Sequence, residues 1–303
     1  MPQLFIILAA LSWGFISVFV KKLSAFGFTE MEIVTIRVVY AFILLLPIII
    51  FQRKRSVIRI KLTHIPYFIG TGLCSIVFFN WCYFTAMNKL SVSFAVMLLY
   101  TSPAFVAILS YFFLKEKLTK KKLFAVLITI FGCSLIALNG GGDNTWDQLG
   151  FSIGLGAGLG YALYSIFGKL ATRYYDSITI TFYTFLVASI CLVPFYRFWE
   201  KFNQIPTNLH FYMIGLALVP TVLAYLLYTI GLNRIESSTA AILATVEPVA
   251  AIIIGITLFN EKIAYVQFAG ILCILSSVLI LSIKRKYIKR HQSEVSFINE
   301  KTR

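Results

Sequence analysis

The chain alternates long apolar segments with short polar stretches from its first residues to about residue 283. Each apolar segment is long enough to cross a bilayer core as a helix, which takes about 20 residues. The pattern predicts ten membrane-spanning helices joined by short connections, with no separate soluble domain. The predicted spans are residues 3–20, 32–51, 66–87, 91–114, 121–139, 148–170, 177–197, 208–230, 238–260 and 264–283.

Composition and charge support a membrane protein. The 303 residues are 59% hydrophobic and 13% charged, and the mean hydropathy is +0.85, far from the soluble globular average. The net charge of +15 does not indicate nucleic-acid binding, because 20 of the 27 Lys and Arg residues lie in alternate connections and in the C-terminal tail. The positive-inside rule therefore predicts a multi-pass protein of the cell (plasma) membrane with cytoplasmic N- and C-termini.

The two halves of the sequence repeat each other. Residues 88–108 and 233–253 align without a gap at an offset of 145, and the match extends on both sides. Matched pairs that hydrophobicity does not explain are Tyr83 and Tyr228, Asn88 and Asn233, Pro103 and Pro248, and Glu116-Lys117 and Glu261-Lys262. Each copy holds five helices, so the second copy enters the membrane from the opposite side, which predicts inverted repeats. The predicted organisation is a first repeat (1–138), a connecting loop (139–147), a second repeat (148–285) and a basic cytoplasmic tail (286–303).

Several short motifs resemble those of the EamA-type drug/metabolite transporters. They are the proline in the fourth segment, the "EP" in the ninth, the "KEK" and "NEK" turns after those segments, and the "IR" in the second. The resemblance covers residues 1–285 and implies a ten-helix carrier whose central cavity is lined mainly by helices 1, 3, 4, 6, 8 and 9. It implies export of amino acids, related metabolites or toxic compounds, although the superfamily also includes carriers of nucleotide sugars and lipid-linked compounds.

Glu247 is the acid predicted to lie deepest in the membrane. It follows Ser238 by nine residues, about 14 Å into a core of roughly 30 Å. A charge at that depth costs at least about 2.5 kcal/mol, so the side chain should face the protein interior or a wet cavity. Two interpretations remain: a proton-sensitive or cation-binding residue that couples transport, or a structural acid bonded to a neighbouring helix. Pro248 and its repeat partner Pro103 are predicted to kink their helices.

Other residues predicted near mid-depth are candidates for lining a substrate cavity. Aromatic rings there attract ammonium groups, and an amide in the bilayer must find hydrogen-bond partners. With Glu247, the predicted cavity residues are Trp13, Asn80, Trp81, Tyr100, Thr101, Tyr161, Tyr164, Tyr225 and Thr245. The run "GLGAGLG", residues 154–160, contains two GxxxG spacings and predicts close helix packing rather than a nucleotide loop.

Arg37 lies inside the second predicted helix and has three interpretations. The favoured ones are that it snorkels to the outer surface or pairs with Glu30 or Glu32. The third is that it presents a cation to an anionic group of the substrate.

The predicted function is secondary transport, with export of amino acids or related small amphipathic metabolites by alternating access. A flippase for a lipid-linked metabolite has the same architecture and remains the alternative.

An intramembrane enzyme is disfavoured because His64, His210 and His291 are scattered and match no HExxH motif. The sequence predicts no catalytic residue, metal ligand or cofactor, and it lacks a Walker motif for ATP. The expected partners are a small-molecule substrate and the lipid bilayer, without nucleic acid, and the oligomeric state stays open.

Overall fold

A computed structural model of the chain describes residues 2–51, 60–138, 147–259 and 263–282. Within these ranges the chain forms ten long helices, a short 3₁₀ segment at Phe198–Gln204 and no strand. The helices are α1 (Pro2–Ser24), α2 (Glu30–Phe51), α3 (Leu62–Lys89), α4 (Val92–Leu114), α5 (Lys120–Leu138), α6 (Gln148–Ala171), α7 (Ser177–Leu192), α8 (Leu209–Arg234), α9 (Ser237–Phe259) and α10 (Tyr265–Ser282). Most of the predicted connecting loop, the basic tail and the Glu261-Lys262 pair lie outside the described residues.

Seven of these helices are long and apolar enough to cross a membrane, namely α1 to α4, α6, α8 and α9. Helices α7 and α10 are apolar but shorter, and α5 begins with three lysines. Large apolar side chains such as Phe112, Leu127, Ile190 and Phe211 are more than half exposed. An apolar outer surface of this kind is typical of helices that face lipid, so the chain is a multi-pass membrane protein.

Helix α1 is interrupted at Phe15, and four other helices contain backbone interruptions that form two matched pairs. Helix α4 loses regular α-helical geometry at Tyr100 and Thr101, and α9 does so at Thr245. Helices α3 and α8 each contain a π-helical segment, at Gly70–Val77 and Leu218–Leu223. Tyr100 and Thr245 are 145 positions apart, which is the offset of the sequence repeat.

A proline follows each interruption in α4 and α9. Pro103 and Pro248 have no amide hydrogen, so neither donates to the carbonyl four residues earlier. In α9 the amide of Thr245 turns back to the carbonyl of Ile242 at 3.2 Å, and the Thr245 hydroxyl donates to the same oxygen at 2.6 Å. The backbone therefore forms a tighter turn at Thr245. The α-helix resumes at Val246, two residues before Pro248.

Helix α6 packs against α3 and α4 through its glycines. A Cβ added at Gly158 would lie 2.6 Å from Thr101 Oγ1 and 2.8 Å from the carbonyl oxygen of Leu98. A Cβ added at Gly160 would lie 3.0 Å from the Cα of Phe79. These distances leave no room for a side chain, which confirms that the "GLGAGLG" run is a packing surface.

Ion pairs join helix ends at one side of the bundle. Lys89 at the end of α3 pairs with Asp147, which caps the start of α6, at 3.4 Å. Lys201, between α7 and α8, donates to the carbonyl of Gly27 at 2.8 Å and to Glu32 at 2.5 Å. Helix α4 begins at this side and runs for 23 residues, about 34 Å. Its far end, at Leu114, therefore marks the opposite side of the bundle.

Candidate functional site

Glu247 lies inside the bundle on α9, two residues after the interruption at Thr245. It is ten residues from the helix start at Ser237, or about 15 Å along the axis. The hydroxyl of Tyr161 on α6 donates a hydrogen bond to Glu247 Oε2 at 3.1 Å. The side chain is half-buried, and a carboxylate has about four acceptor sites. Glu247 therefore keeps the capacity to accept hydrogen bonds from a ligand.

Aromatic rings from α1, α6 and α8 pack against one another next to this carboxylate. The indole of Trp13 lies 6.3 Å from the ring of Tyr161, 5.4 Å from Tyr225 and 5.3 Å from Tyr228, measured between centroids. Tyr164 lies 5.0 Å from Tyr225. These spacings are normal for edge-to-face and tilted ring packing. Four predicted cavity residues thus belong to one continuous cluster, namely Trp13, Tyr161, Tyr164 and Tyr225.

Helices α3 and α4 bring further aromatic side chains to the same region. Phe79 lies 5.3 Å from Tyr161 and 6.0 Å from Tyr83, between ring centroids. Tyr100, which was predicted from the sequence, packs in a buried cluster with Val249, two residues after Glu247 on α9.

Sequence reasoning missed Phe79, Tyr83 and Tyr228, although a signal for them existed. Tyr83 and Tyr228 match each other at the repeat offset of 145. Phe79 precedes Tyr83 by four residues and so shares its helix face. A search for repeated aromatic positions would have found Tyr83 and Tyr228, and the helix face of Tyr83 would then have indicated Phe79.

Arg37 is buried on α2. The residue is 6% exposed, and within the described part of the chain its Nε is buried without a hydrogen-bond partner. The guanidinium interacts with the Tyr225 hydroxyl, and its charge also acts on Glu247. No ion pair joins Arg37 to an acid in the ranges the structure describes. The Glu247 site, as named below, comprises Glu247, Tyr161, Trp13, Tyr225 and Arg37.

The two favoured predictions for Arg37 are wrong. The side chain does not snorkel outward, because it is almost fully buried. It does not pair with Glu32, because Glu32 is held by Lys201 at 2.5 Å, nor does an ion pair join it to Glu30. Contact with an anionic group of a substrate is the interpretation that remains.

Three other predicted cavity residues donate side-chain hydrogen bonds to backbone carbonyls of their own helices. Asn80 Nδ2 donates to the carbonyl of Ile76 at 2.7 Å, while the hydroxyls of Thr101 and Thr245 each donate at 2.6 Å to a carbonyl three residues earlier. Side-chain bonds of this kind satisfy carbonyls at helix interruptions. The structure thus gives these residues a local role and no contact within the Glu247 site.

Trp81 does not line the Glu247 site. The side chain is 48% exposed, and it lies two residues from both Phe79 and Tyr83. At about 100° per residue, that spacing places Trp81 on the opposite face of α3. The prediction that Trp81 is a cavity residue is therefore wrong, because the apolar pattern alone did not show which face of α3 points inward.

The Glu247 site combines groups that bind ions rather than groups that activate a nucleophile. A carboxylate and ring faces bind cations, and a guanidinium binds carboxylates or phosphates. Among the residues that the structure describes, no three His, Cys, Asp or Glu side chains are grouped so as to hold a metal ion. The arrangement is suited to binding a small charged ligand.

A second group of charged residues fixes the turn between α8 and α9. Glu116, from the α4–α5 connection, accepts hydrogen bonds from the amides of Ser237 at 2.6 Å and Ser238 at 3.2 Å, and from the Ser238 hydroxyl at 2.8 Å. It thereby satisfies amides that the start of a helix leaves unpaired. Burial alone would raise the pKa of Glu116, but these hydrogen bonds and the Lys122 ammonium outweigh burial and lower the pKa below its ordinary value.

Two lysines hold the same turn. Lys122 pairs with Glu236 at 2.8 Å. Lys169 donates to the carbonyls of Leu232 and Ile235 at 2.6 and 2.7 Å, which satisfies the C-terminal end of α8. The Glu116 cluster, as named below, comprises Glu116, Lys122, Lys169 and residues 232–238.

A cavity of about 520 Å³ lies beside the Glu116 cluster. Its walls include Gln3 at the start of α1, Arg173 just after α6, Thr239 near the start of α9 and Leu281 near the end of α10. The start of α1 and the ends of α4, α6, α8 and α10 therefore meet at one side of the bundle.

Comparison with known proteins gives a family match and several relatives. The model of the EamA-like transporter family matches residues 1–138 and 148–283. The chain is similar to an uncharacterized transporter of Archaeoglobus fulgidus, with 29% identity over 281 residues that cover 91% of this chain and 94% of the relative. It is also 32% identical to the uncharacterized transporter YetK of Bacillus subtilis over 192 residues, 61% of this chain and 58% of YetK.

Solved structures share this fold, and one of them is a crystal structure of a protein. The superposition has a TM-score of 0.74 and covers 93% of this chain and 96% of the other chain, at 15% sequence identity. At that identity the likeness concerns the fold alone.

Proposed function

This chain belongs to the EamA-like transporter family, and from that premise we propose that it is a secondary exporter of amino acids or related small amphipathic metabolites. It is a multi-pass membrane transporter and not an enzyme. The observation that carries the substrate proposal is the hydrogen bond from Tyr161 to Glu247 beside a cluster of aromatic rings. A half-buried carboxylate next to ring faces binds an ammonium group, and the rings accept an apolar body.

The proposed architecture is ten membrane-spanning helices in two inverted repeats, residues 1–138 and 148–285. In support, the interruptions at Tyr100 and Thr245 recur at the offset of the sequence repeat. The helix ends that border the cavity beside the Glu116 cluster are also those that the positive-inside rule assigns to the cytoplasm. We therefore assign the Glu116 cluster and both termini to the cytoplasmic side of the cell membrane.

The proposed mechanism is alternating access between the repeats. The Glu116 cluster joins Glu116 and Lys122 of the first repeat to Ser237, Ser238 and Glu236 of the second. A rocking motion of one repeat against the other separates such contacts on one side of a central site. In this mechanism the cluster closes the cytoplasmic side, and it breaks when substrate enters from the cytoplasm.

The test of this function is efflux from proteoliposomes loaded with a mixed pool of metabolites. Loss of each compound is followed by mass spectrometry at two pH values for the wild type, for Glu247→Gln and for Glu200→Gln, an exposed acid paired with Arg197. We expect selective loss of an amino acid or amine from the wild type and from Glu200→Gln. Because we propose Glu247 as the coupling residue, the rate for Glu247→Gln should no longer depend on pH.

Two outcomes contradict the proposal. No selective loss from folded wild-type protein would exclude export of these metabolites, and movement of a lipid-linked compound in the same vesicles would establish the flippase alternative. An unchanged pH profile and affinity in Glu247→Gln would remove Glu247 from coupling.

A further inference from the structure

The cavity of about 520 Å³ beside the Glu116 cluster has no part in the transport function proposed above. We propose that it binds a phosphate ester through the guanidinium groups of Arg173 and Arg234, and that an anionic phospholipid of the adjoining leaflet supplies this group. By the orientation assigned above, that leaflet is the cytoplasmic one. Thr239 in the cavity wall precedes Glu247 by eight residues of α9, or about 12 Å, so the cavity is separate from the Glu247 site.

The first argument is that Lys169 brings the two arginines to one wall. Its ammonium donates to the carbonyls of Leu232 at 2.6 Å and Ile235 at 2.7 Å, which joins the end of α6 to the end of α8. Arg234 lies between those two residues, and Arg173 follows Lys169 by about one helical turn. Both arginines line the cavity. Two guanidinium groups from different helices therefore share it.

The second argument is the balance of charge in the cavity wall. Glu116 accepts three hydrogen bonds from the start of α9, and Glu236 pairs with the Lys122 ammonium at 2.8 Å. No ion pair joins Arg173 or Arg234 to an acid in the ranges that the structure describes. Guanidinium groups bind phosphate oxygens through pairs of parallel hydrogen bonds. The charge that remains available in the cavity is therefore positive and matches a phosphate group.

The third argument is the size of the cavity and its neutral donors. Ligand sites are typically about 300–1,000 Å³ in volume, so this cavity accommodates a phosphate together with a group esterified to it. The side-chain amides of Gln3 and Asn233 and the hydroxyl of Thr239 also lie in the wall. They can form hydrogen bonds with the hydroxyl groups of an ester such as glycerol phosphate. A phosphate ester therefore uses more of the wall than inorganic phosphate does.

The apolar part of the wall favours a lipid as the source of the phosphate ester. Leu114 at the end of α4 and Leu281 near the end of α10 both line the cavity. Their neighbours Phe112, Phe113 and Leu279 are more than half exposed and belong to the lipid-facing surface. The cavity thus lies next to that surface at the level of the helix ends, where headgroups are found. Basic pockets at this level between membrane helices bind anionic headgroups.

Two observations favour an anionic lipid over a zwitterionic one. The trimethylammonium group of phosphatidylcholine would be repelled by the two guanidinium groups, whereas phosphatidylglycerol carries no cation. The sequence directly after α10 is also strongly basic, and a basic segment beside a membrane helix attracts anionic lipids. Its basic residues are Lys284, Arg285, Lys286, Lys289 and Arg290.

The experiment measures lipid binding to the purified full chain in a neutral detergent by native mass spectrometry. The probes are phosphatidylglycerol and phosphatidylcholine with identical acyl chains, and soluble glycerol 3-phosphate as a competitor. For the wild type we expect phosphatidylglycerol to bind about tenfold more tightly than phosphatidylcholine, because only its headgroup satisfies the arginines without repulsion. An excess of glycerol 3-phosphate should leave most of the phosphatidylglycerol bound, because it lacks acyl chains to contact the apolar wall.

The variants assign the binding to the two arginines. Arg173→Gln combined with Arg234→Gln should abolish the preference for phosphatidylglycerol, and each single variant should reduce it about threefold. The matched control is Arg197→Gln, which removes an exposed arginine at the other end of the bundle and should keep the full preference. Both cavity arginines are exposed, so the variants should fold. Thermal unfolding without added lipid checks this, and the single variants carry the test if the double variant unfolds.

The possible results separate the two sources of the phosphate ester. A preference that is lost in the double variant and kept in Arg197→Gln supports the proposal. Equal affinity of the wild type for both lipids overturns it, as does a preference that the double variant retains or that Arg197→Gln loses to the same extent. Displacement of phosphatidylglycerol by equimolar glycerol 3-phosphate overturns the lipid assignment in favour of a soluble phosphate ester. Efflux from proteoliposomes tests the transport function separately.

Discussion

Charged side chains in this protein have different roles according to their depth. Glu247 accepts one hydrogen bond from a tyrosine hydroxyl and keeps acceptor capacity, whereas Glu116 accepts three hydrogen bonds at a helix start. The first arrangement suits an exchangeable ligand, and the second suits a fixed structural contact. The number of hydrogen-bond partners therefore distinguishes Glu247, which we assign to transport, from Glu116, which we assign to closure of the cytoplasmic side.

Removal of the Tyr161 hydroxyl tests the first of these roles. Tyr161→Phe keeps the ring but removes the donor to Glu247, so the carboxylate loses orientation. A hydrogen bond of this type contributes about 0.5–1.5 kcal/mol, and we expect the binding of phenylalanine, an amino acid used as a probe, to weaken by roughly twofold to tenfold. Isothermal titration calorimetry in lipid nanodiscs measures the change. Tyr164→Phe is the control because its hydroxyl bonds Thr229 at 2.8 Å, and an equal effect in both variants would contradict the prediction.

At the scale of elements, close approach of helices depends on glycine. Gly158 allows α6 to contact the backbone of α4 beside the interruption at Thr101. The same contact brings Tyr161, one turn further along α6, to the face that meets Glu247. Helix packing and the position of the site are therefore linked through α6.

Gly158→Ala tests the packing of α6. The added Cβ would meet Thr101 Oγ1 at 2.6 Å and a backbone oxygen at 2.8 Å. Overpacking of this kind costs about 1–3 kcal/mol, so the midpoint of thermal unfolding should fall by several degrees at a fixed scan rate. In Gly168→Ala on the same helix the closest atom to the added Cβ would be a flexible Leu232 methyl at 3.3 Å, so the midpoint should change less. A larger effect at Gly168 would disagree with the described packing.

The start of α9 gives a prediction about pH. The pKa of Glu116 lies below its ordinary value of 4.5, so its contribution to stability is complete above that value. This contribution is lost as the pH falls through the lower pKa of the folded state. Glu116→Gln should therefore be less stable than the wild type at pH 7, and the difference should shrink below about pH 4.5.

Thermal unfolding at a series of pH values measures this effect, with Glu200→Gln as the control for an exposed acid. A difference between Glu116→Gln and the wild type that stays constant down to pH 3.5 would show that the carboxylate charge does not stabilise α9.

For the whole molecule, the two ends of the bundle carry different sets of contacts. One end contains the Glu116 cluster and its cavity, and the other contains the Lys201–Glu32 and Lys89–Asp147 pairs. We assign the first end to the cytoplasm from the distribution of Lys and Arg. This assignment places both termini on one side and agrees with an even number of crossings.

Cysteine labelling tests the orientation. Single cysteines at Gln3, Arg173 and Glu200 are introduced after the five native cysteines are replaced by alanine. A membrane-impermeant maleimide should label positions 3 and 173 in inside-out vesicles and position 200 in right-side-out vesicles. The reverse pattern would invert the topology, and labelling of 3 and 173 from different sides would contradict the shared cavity.

The sequence allowed prediction of the features that depend on periodicity and repetition. The helical class, the glycine packing of α6 and the proximity of Trp13, Tyr161, Tyr164 and Tyr225 followed from apolar segment length and depth. The contacts of Arg37 could not be predicted, because the partner of Glu32 comes from Lys201, 169 residues later. Trp81 was assigned incorrectly because depth along a helix does not specify which face turns inward.

The hydrogen bonds from the start of α9 to Glu116 have a consequence for the order of synthesis. The amide of Ser237 bonds a carboxylate made 121 residues earlier, so α4 and its following turn have left the ribosome long before α9 exists. The carboxylate therefore waits for its partner while four further helices, α5 to α8, are made. A fragment that begins at residue 148 would complete α8 and α9 without a cap for Ser237 and Ser238, and it should depend on the separately supplied first fragment to acquire a stable fold.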